Sequence, residues 1–336
     1  MIQTANPLVS TIVLSYNQSR FVSETLESVK AQTYKDTQLI IVDDCSSDDS
    51  VATIEHWLQE NGIHCAFIRH HKNQGICKSL NDALAVANGK YISMVAADDV
   101  WLSDKIARQV EIMESQPDHV GILYSDAFQM DEQGHPLPDM FSAAHRKLPE
   151  MPQGQILNTL LEGNFIPGMT TLIRRGCYDV VGLYDENLPW EDWDMWLRLA
   201  RHYSFVYSPT PSAKYRCHDK SLSHSNRACM LKGYVNVCFK QFGLGHLEQG
   251  QKSALIRMLM DLAFHSYPDF PDITRLALKH VRELGGTDYI PPFGTWRGEL
   301  LKRIIGWKAT KRANVLYHRY SSWAGNAIGR GSQAGS

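Results

Sequence analysis

The sequence predicts an α/β fold: a mostly parallel central sheet flanked by helices, followed by a helical C-terminal extension. Three observations predict it. Short β-prone apolar runs alternate regularly with amphipathic helical stretches between Val9 and Trp101, the pattern of βαβ units with right-handed crossovers. Each early strand ends in polar or acidic residues, and in such sheets ligands bind beyond the carboxyl ends of the strands. The chain has 336 residues, 43% hydrophobic and 21% charged, enough for a sizeable core and too apolar for global disorder.

Val9 to Ser15 reads as a short buried strand, with a polar loop from Tyr16 to Ser19 at its end. Ser19 or Ser23 caps a helix on which Phe21, Val22, Leu26 and Val29 recur at helical spacing. Gln38 to Val42 is a second strand running into the acidic, hydroxyl-rich loop Asp43 to Asp49. A helix follows with Val51, Ile54, Trp57 and Leu58 on one face, then a third strand from Cys65 to Ile68. Asn73-Gln74-Gly75 makes a turn, and Ile76 to Ala87 is helical, capped by Asn88-Gly89. Tyr91 to Ala97 is the fourth strand and delivers Asp98 and Asp99 to its end, as a polar turn or as oxygen ligands for a divalent cation.

Beyond this point Ile106 to Met113 is a helix, Gly121 to Ser125 a strand, and Met130 to Met151 a surface loop rich in Pro, Gly, Asp and His. Ile156 to Leu161 is helical, and the loop from Asn164 feeds a strand ending near Arg174. From Asp192, the residues Met195, Trp196 and Leu199 form one apolar helix face. Glu191, Asp192 and Asp194 then occupy its first turn, where the helix dipole favours ionised carboxylates; acidic capping accounts for them equally well. Phe205 to Tyr207 is a strand, and Tyr215 to Ser225 a polar loop holding His218. Residues 228 to 284 read as helices with a core stripe of Ala254, Leu255, Met258, Leu259 and Leu262.

Composition narrows the function. A net charge of −2 argues against nucleic-acid binding. Seven scattered cysteines without a CxxC pair read as free thiols of a reducing compartment. The N-terminus lacks the look of a signal peptide, and no apolar run reaches the roughly 20 residues of a bilayer span, so a cytoplasmic protein is expected. From Arg297 to Arg330 basic residues outnumber acids, with Trp296, Leu300, Leu301, Ile304 and Ile305 interleaved at helical spacing. That tail suits either contact with an anionic membrane surface or packing on the domain with a solvated basic face. Neither GxGxxG after the first strand nor GxxxxGK[ST] is present.

The motifs occur in a recognisable order: Ser15-Tyr16-Asn17, Asp43-Asp44 through Asp48, Asn73-Gln74-Gly75 through Asn81, Ala97-Asp98-Asp99, Glu191-Asp192-Trp193 and Tyr215-Arg216-Cys217-His218. Together they resemble the inverting family 2 glycosyltransferases of GT-A fold, which is a Rossmann-like sheet, over about residues 8 to 225. The resemblance implies a nucleotide-diphosphate sugar donor, UDP-linked by expectation, and a glycan or lipid-linked acceptor, in surface-polysaccharide assembly. It implies that Ser15, Tyr16 and Asn17 meet the nucleoside, that Asp44 accepts from the base edge, and that Asn73, Gly75 and Lys78 line the cleft. Asp98 would bind ribose or sugar, and Asp99, Asp98 and His218 a Mn or Mg ion at the diphosphate. Asp192 would be the general base, with Glu191 and Asp194 behind it, and Trp190, Trp193 and Met169 would shape the acceptor side, while Trp193 and Trp196 suit core positions equally well. Relatives with D-x-D-D carry an acid where this chain has Ala96, which throws metal binding onto Asp99. Three segments follow: a transferase domain over residues 1–225, a helical extension packed on it over 226–290, and the basic tail over 291–336. A degenerate, non-catalytic nucleotide-sugar binder is the competing reading; a nucleotidyltransferase would need a glycine-rich basic loop after the first strand.

Overall fold

The computed structural model describes residues 6–146, 148–219, 227–245 and 247–286. The described chain forms two compact units. The first comprises residues up to Phe141, Glu150–Leu160 and Ile166–His218; the second comprises Ser142–Pro149, Leu161–Phe165 and the chain from Asp219 onward.

The first unit is built on one nine-stranded sheet. Strands β1 (Val9–Ser15), β2 (Thr37–Asp43), β3 (Ala66–Arg69) and β4 (Tyr91–Ala96) alternate with helices α1 (Val22–Lys30), α2 (Ser50–Asn61) and α3 (Ile76–Val86). Next come β5 (Val100–Trp101), α4 (Lys105–Glu114), β6 (Val120–Met130) and β7 (Pro136–Met140), and the chain then passes in α5 (Phe141–His145) to the second unit. Then follow α6 (Leu157–Leu160), a 3₁₀ turn at Gly168–Thr170, β8 (Leu172–Arg174), α7 (Cys177–Val181), α8 (Asp192–Ala200) and β9 (Ser204–Arg216). The spatial order is β3-β2-β1-β4-β8-β6-β9-β5, with β7 paired to β6.

Strands β1 to β4 pair in parallel. β8 is antiparallel to both β4 and β6, so β6 runs with β4, and β9 is parallel to β6. Only β5, β7 and β8 oppose this direction. The register sets Ser15 opposite Asp43 and Leu14 opposite Ala96, so three strands end at one level. Their side chains are buried on both sides of the sheet, which explains why β1, β2 and β4 read as near-continuous apolar runs rather than alternating ones. Val22, Leu26 and Val29 of α1 and Ile106, Val110 and Met113 of α4 pack into one cluster with Val9, Val13, Tyr91 and Val95.

Two expected loops are structured. The segment Met130 to Met151 contains β7 and α5, because β6 runs on to Met130 and offers β7 a partner at Phe128 and Met130. The short strand expected at Phe205 to Tyr207 extends to Arg216, so Tyr215 and Arg216 are strand residues; β6 pairs with it along both halves, with an irregularity between Ser125 and Ala127.

In the second unit the chain forms α9 (Arg227–Gly243), α10 (Gln249–Ser266) and α11 (Pro271–Glu283). The stripe Ala254, Leu255, Met258, Leu259 and Leu262 is buried, as its spacing predicts. Glu248 and Gln251 form a reciprocal capping box at the start of α10. All seven cysteines are free thiols. Among the described residues no helix is long and apolar enough to cross a membrane. The basic tail lies outside the described residues.

Candidate active site

The common level of β1, β2 and β4 determines what the rim of the sheet presents. Leaving β1, Ser15 donates its hydroxyl to Asp43 Oδ2 at 2.9 Å, and Asp43 also receives Ser46 N–H at 2.8 Å. Asp43 is therefore a brace for its loop. Tyr16 follows with its ring 47% exposed, open to stack on a flat partner. Asn17 adopts φ 54°, which suits Asn better than a β-branched residue, and its Oδ1 accepts Ser47 N–H at 2.8 Å. Asp48 receives Ser19 N–H at 3.0 Å and bonds from Ser50. Burial pushes its carboxyl up, and these hydrogen bonds outweigh burial and hold it below the usual range.

Asp44 is buried and points across to the start of α3. It accepts Gln74 N–H and Gly75 N–H, both at 2.8 Å, and a ring nitrogen of His70 at 2.8 Å. A carboxylate offers about four acceptor positions, so roughly one remains for a ligand N–H. Gly75 makes this approach at φ 88°, a backbone region that favours glycine. The other ring nitrogen of His70 meets Asp82 at 3.1 Å, and Asp82 is also paired with Lys78. Lys78 is thus tied to its own helix, while Asn73 is exposed at the turn.

Asp98 and Asp99 have different partners. Asp98 Oδ2 lies 2.9 Å from His218 Nε2 and 3.1 Å from Gln18 Nε2. Asp99 is 3% exposed, and its carboxylate accepts Arg216 N–H at 2.9 Å. Burial, then the charge of Asp98, holds the Asp99 carboxyl well above the usual carboxylate range. Arg216 also donates to Asp98 O at 2.9 Å, pairs with Glu24 and lies over the Phe21 ring. The last residues of β9 thereby clamp the Asp98-Asp99 turn, a role that a loop at Tyr215-Arg216 would not have provided.

The acidic pair Glu191-Asp192 opens α8. Asp192 Oδ1 accepts Trp193 N–H at 2.6 Å, and Asp194 pairs with Arg198 at 2.9 Å one turn on. Burial first, then the neighbouring Asp192, push the Glu191 carboxyl up to about 8. Gly168 of the 3₁₀ turn passes close beside Glu191 Oε1. That turn is held by Trp101 Nε1 on Met169 O at 2.9 Å and Gln109 Nε2 on Thr170 O at 2.7 Å. The expected acceptor-side residues are buried instead: Trp193 is 0% exposed and gives its indole N–H to Leu160 O at 2.8 Å, and Trp190 and Met169 are buried as well. Aromatic bulk at helical spacing served the core here.

The donor set fits a cation shared with a ligand. Asp98 and His218 offer one carboxylate and one imidazole side by side, suited to an ion whose remaining positions belong to diphosphate oxygens and water. Among the described residues no group of three or more His, Cys, Asp and Glu side chains forms a cage by itself. Asp99, with its carboxylate turned to Arg216 N–H, is the less accessible of the two acids.

Comparison with known proteins places this geometry. The model of the family described as "Glycosyl transferase family 2" matches residues 10–181. An uncharacterized glycosyltransferase of Rickettsia typhi is 30% identical over 223 residues, covering 66% of this chain and 68% of the relative. A Rickettsia felis relative is matched over only 37% of its length, so the chain spans well under two thirds of some relatives. The Escherichia coli UDP-Glc:alpha-D-GlcNAc-diphosphoundecaprenol beta-1,3-glucosyltransferase WfaP is 29% identical over 222 residues, covering 64% of this chain and 80% of WfaP. Among solved structures, the mannosyltransferase PcManGT of Pyrobaculum calidifontis, in complex with GDP-Man and Mn²⁺, superposes with TM-score 0.61 at 16% identity over 97% of this chain and 87% of its own. S. aureus TarS 1-349 in complex with UDP-GlcNAc gives 0.60 at 15% identity over 97% and 93%. These structural neighbours share the GT-A fold.

Proposed function

Because the chain belongs to glycosyl transferase family 2, and is a glycosyltransferase of GT-A fold, we propose that it moves a sugar from a nucleotide diphosphate, UDP by preference, to a hydroxyl of a glycan or lipid-linked acceptor with inversion. The observation that carries the reading is the shared level of β1, β2 and β4, which gathers Ser15, Asp44 and Asp98 on one rim. Tyr16 supplies an exposed ring for the base, and Asp44, braced by two backbone N–H groups, accepts from the base edge. Asp98 and His218 would hold a Mn²⁺ or Mg²⁺ ion, with Asp99 supporting their turn. A bound cation would neutralise charge that grows on the departing diphosphate.

The acceptor hydroxyl attacks the anomeric carbon and loses its proton to a carboxylate. Asp192 is that base: it stands in the first turn of α8, where the helix dipole favours the ionised form. With the Glu191 carboxyl pushed up to about 8 by burial and by Asp192, the pair shares about one negative charge at neutral pH. Nothing in this arrangement calls for a second carboxylate to form a covalent intermediate, so a single displacement inverts the configuration. The names of WfaP and of the Bacillus subtilis relative TuaG, a putative teichuronic acid biosynthesis glycosyltransferase, support a glycan or lipid-linked acceptor.

The test is thermal denaturation with UDP, GDP and their sugar conjugates, each with and without Mn²⁺. A ligand at a hundredfold excess over its Kd stabilises by about 2.7 kcal/mol. UDP-sugars with Mn²⁺ should raise Tm, and Asp192→Asn should keep that rise while losing transfer. No stabilisation by any nucleotide, or full transfer by Asp192→Asn, overturns the assignment.

A further inference from the structure

Asn81 lies on the buried face of α3, where Cys77, Leu80 and Leu84 are apolar. A polar side chain there must find partners. Its amide pairs with the backbone of Tyr184 in both senses: Nδ2–H donates to Tyr184 O at 3.0 Å, and Oδ1 accepts Tyr184 N–H at 2.9 Å. The remaining Nδ2–H meets Glu186 Oε1 at 2.9 Å. One turn earlier, Cys77 Sγ–H reaches Leu188 O at 3.6 Å. The segment Tyr184–Leu188 is not a strand: α3 side chains bond its two ends, at Tyr184 and at Leu188 O, while Asn187 N–H and Leu188 N–H bond Asp185 within its own turn. It runs directly into Glu191 and Asp192. At its other end α3 begins at Gly75, whose N–H is held by Asp44.

We propose that Asn81 is a positioning residue: it fixes the Glu191-Asp192 pair relative to the nucleotide-facing start of α3, so that the donor side and the general base share one rigid element. The inference rests on the reading of Asp192 as base. Asn is the side chain that the geometry requires. Asp keeps an acceptor for Tyr184 N–H but turns its second oxygen on Tyr184 O and Glu186. Leu offers neither bond, and Gln is one methylene too long. The charges of Glu191, Asp185, Asp194 and Asp192, after burial, all push up the Cys77 thiol, which agrees with the acidic segment lying against this helix. Catalytic groups displaced by about 1 Å lose on the order of a hundredfold in rate.

The experiment compares wild type, Asn81→Asp, Glu186→Gln and the double variant. In the double variant the introduced glutamine amide donates to the introduced aspartate, replacing like charges by a hydrogen bond. Three readouts are taken: Kd for UDP with Mn²⁺ by calorimetry, kcat and donor KM with the UDP-sugar that binds wild type, and amide hydrogen exchange across 184–192. Asn81→Asp should lower kcat ten- to a hundredfold, leave the UDP Kd and donor KM within about threefold, and speed exchange at Tyr184. The double variant should recover the part of kcat lost to the Glu186 charge and stay below wild type, because an aspartate oxygen still faces Tyr184 O. Unchanged kcat in Asn81→Asp, losses of kcat and UDP affinity in equal measure, or no rescue by Glu186→Gln overturns the proposal. If wild type fails to bind UDP, the functional reading falls and the clamp is judged on exchange alone: unchanged exchange across 184–192 in Asn81→Asp overturns it.

Discussion

Replacing Glu191 by Gln tests the electrostatics of the acidic pair without touching the fold around it. In the folded chain burial and Asp192 hold the Glu191 carboxyl at about 8, against an ordinary value of 4.5. Below pH 4.5 both folded and unfolded chains carry the proton, and the group has no effect on stability. Between 4.5 and 8 the unfolded chain releases the proton while the folded chain keeps it, so the unfolded state binds fewer protons and stability falls as pH rises. Each pH unit across that window is worth about 1.4 kcal/mol, which over the whole window sums to at most about 5 kcal/mol. Sharing the titration with Asp192 and relaxation around a partly accessible carboxyl reduce this to about 2–3 kcal/mol. Urea denaturation followed by tryptophan fluorescence at pH 5, 6, 7, 8 and 9 measures it. Glu191→Gln should match wild type at pH 5 and exceed it by that amount at pH 9. Parallel stability curves for the two proteins would refute the reasoning, as would an advantage of the variant that shrinks as pH rises.

Lys105 is buried with its ammonium on Ser93 Oγ, Gln109 Oε1 and Thr171 O, and burial holds its pKa well below the usual 10.5. The unfolded chain therefore binds the extra proton, and this group's contribution to stability rises with pH toward 10.5. Lys105→Met, compared by denaturation from pH 6 to 10, should be relatively most stable at the acid end and lose ground as pH rises; a pH-independent difference would count against a depressed lysine. Asp44→Asn turns an acceptor toward three hydrogen-bond donors into one acceptor and one donor, leaving an N–H facing an N–H. A bond to the base lost in this way costs roughly 1–3 kcal/mol, so UDP affinity measured by calorimetry should fall about five- to 150-fold, and an unaltered Kd would remove Asp44 from the base site.

How far the sequence carried this account depended on the kind of signal. Parallel strands buried on both faces leave uninterrupted apolar runs, so β1, β2 and β4 and the polar residues at their ends were readable, and with them the rim that holds Ser15, Asp44 and Asp98. The far half of β9 was not, because Ser-Pro-Thr-Pro interrupts the apolar pattern and Tyr215-Arg216 looks polar; the strand persists through pairing with β6, a long-range partner that local patterning does not encode. Trp193 stayed open between two readings for the opposite reason, since an indole suits a sugar face and a core equally; in the fold it is buried on the Leu160 carbonyl. Lys105 and Arg216 look like surface residues in sequence; one is buried among neutral acceptors and the other against Phe21, Asp98 and Glu24. Asn81 did leave a trace, a polar residue on an apolar helix face, though its partners lie about a hundred positions away.

The measurement that bears most directly on the central claim is the configuration of the sugar released by the enzyme. Time-resolved proton NMR of an α-linked UDP-sugar incubated with the protein and Mn²⁺ without acceptor, so that water attacks in place of the acceptor hydroxyl and UDP leaves, reports which anomer forms before mutarotation mixes them. A single displacement with Asp192 as base predicts the β anomer first. Initial appearance of the α anomer would contradict the account and require a second nucleophile that the Glu191-Asp192 pair was not assigned.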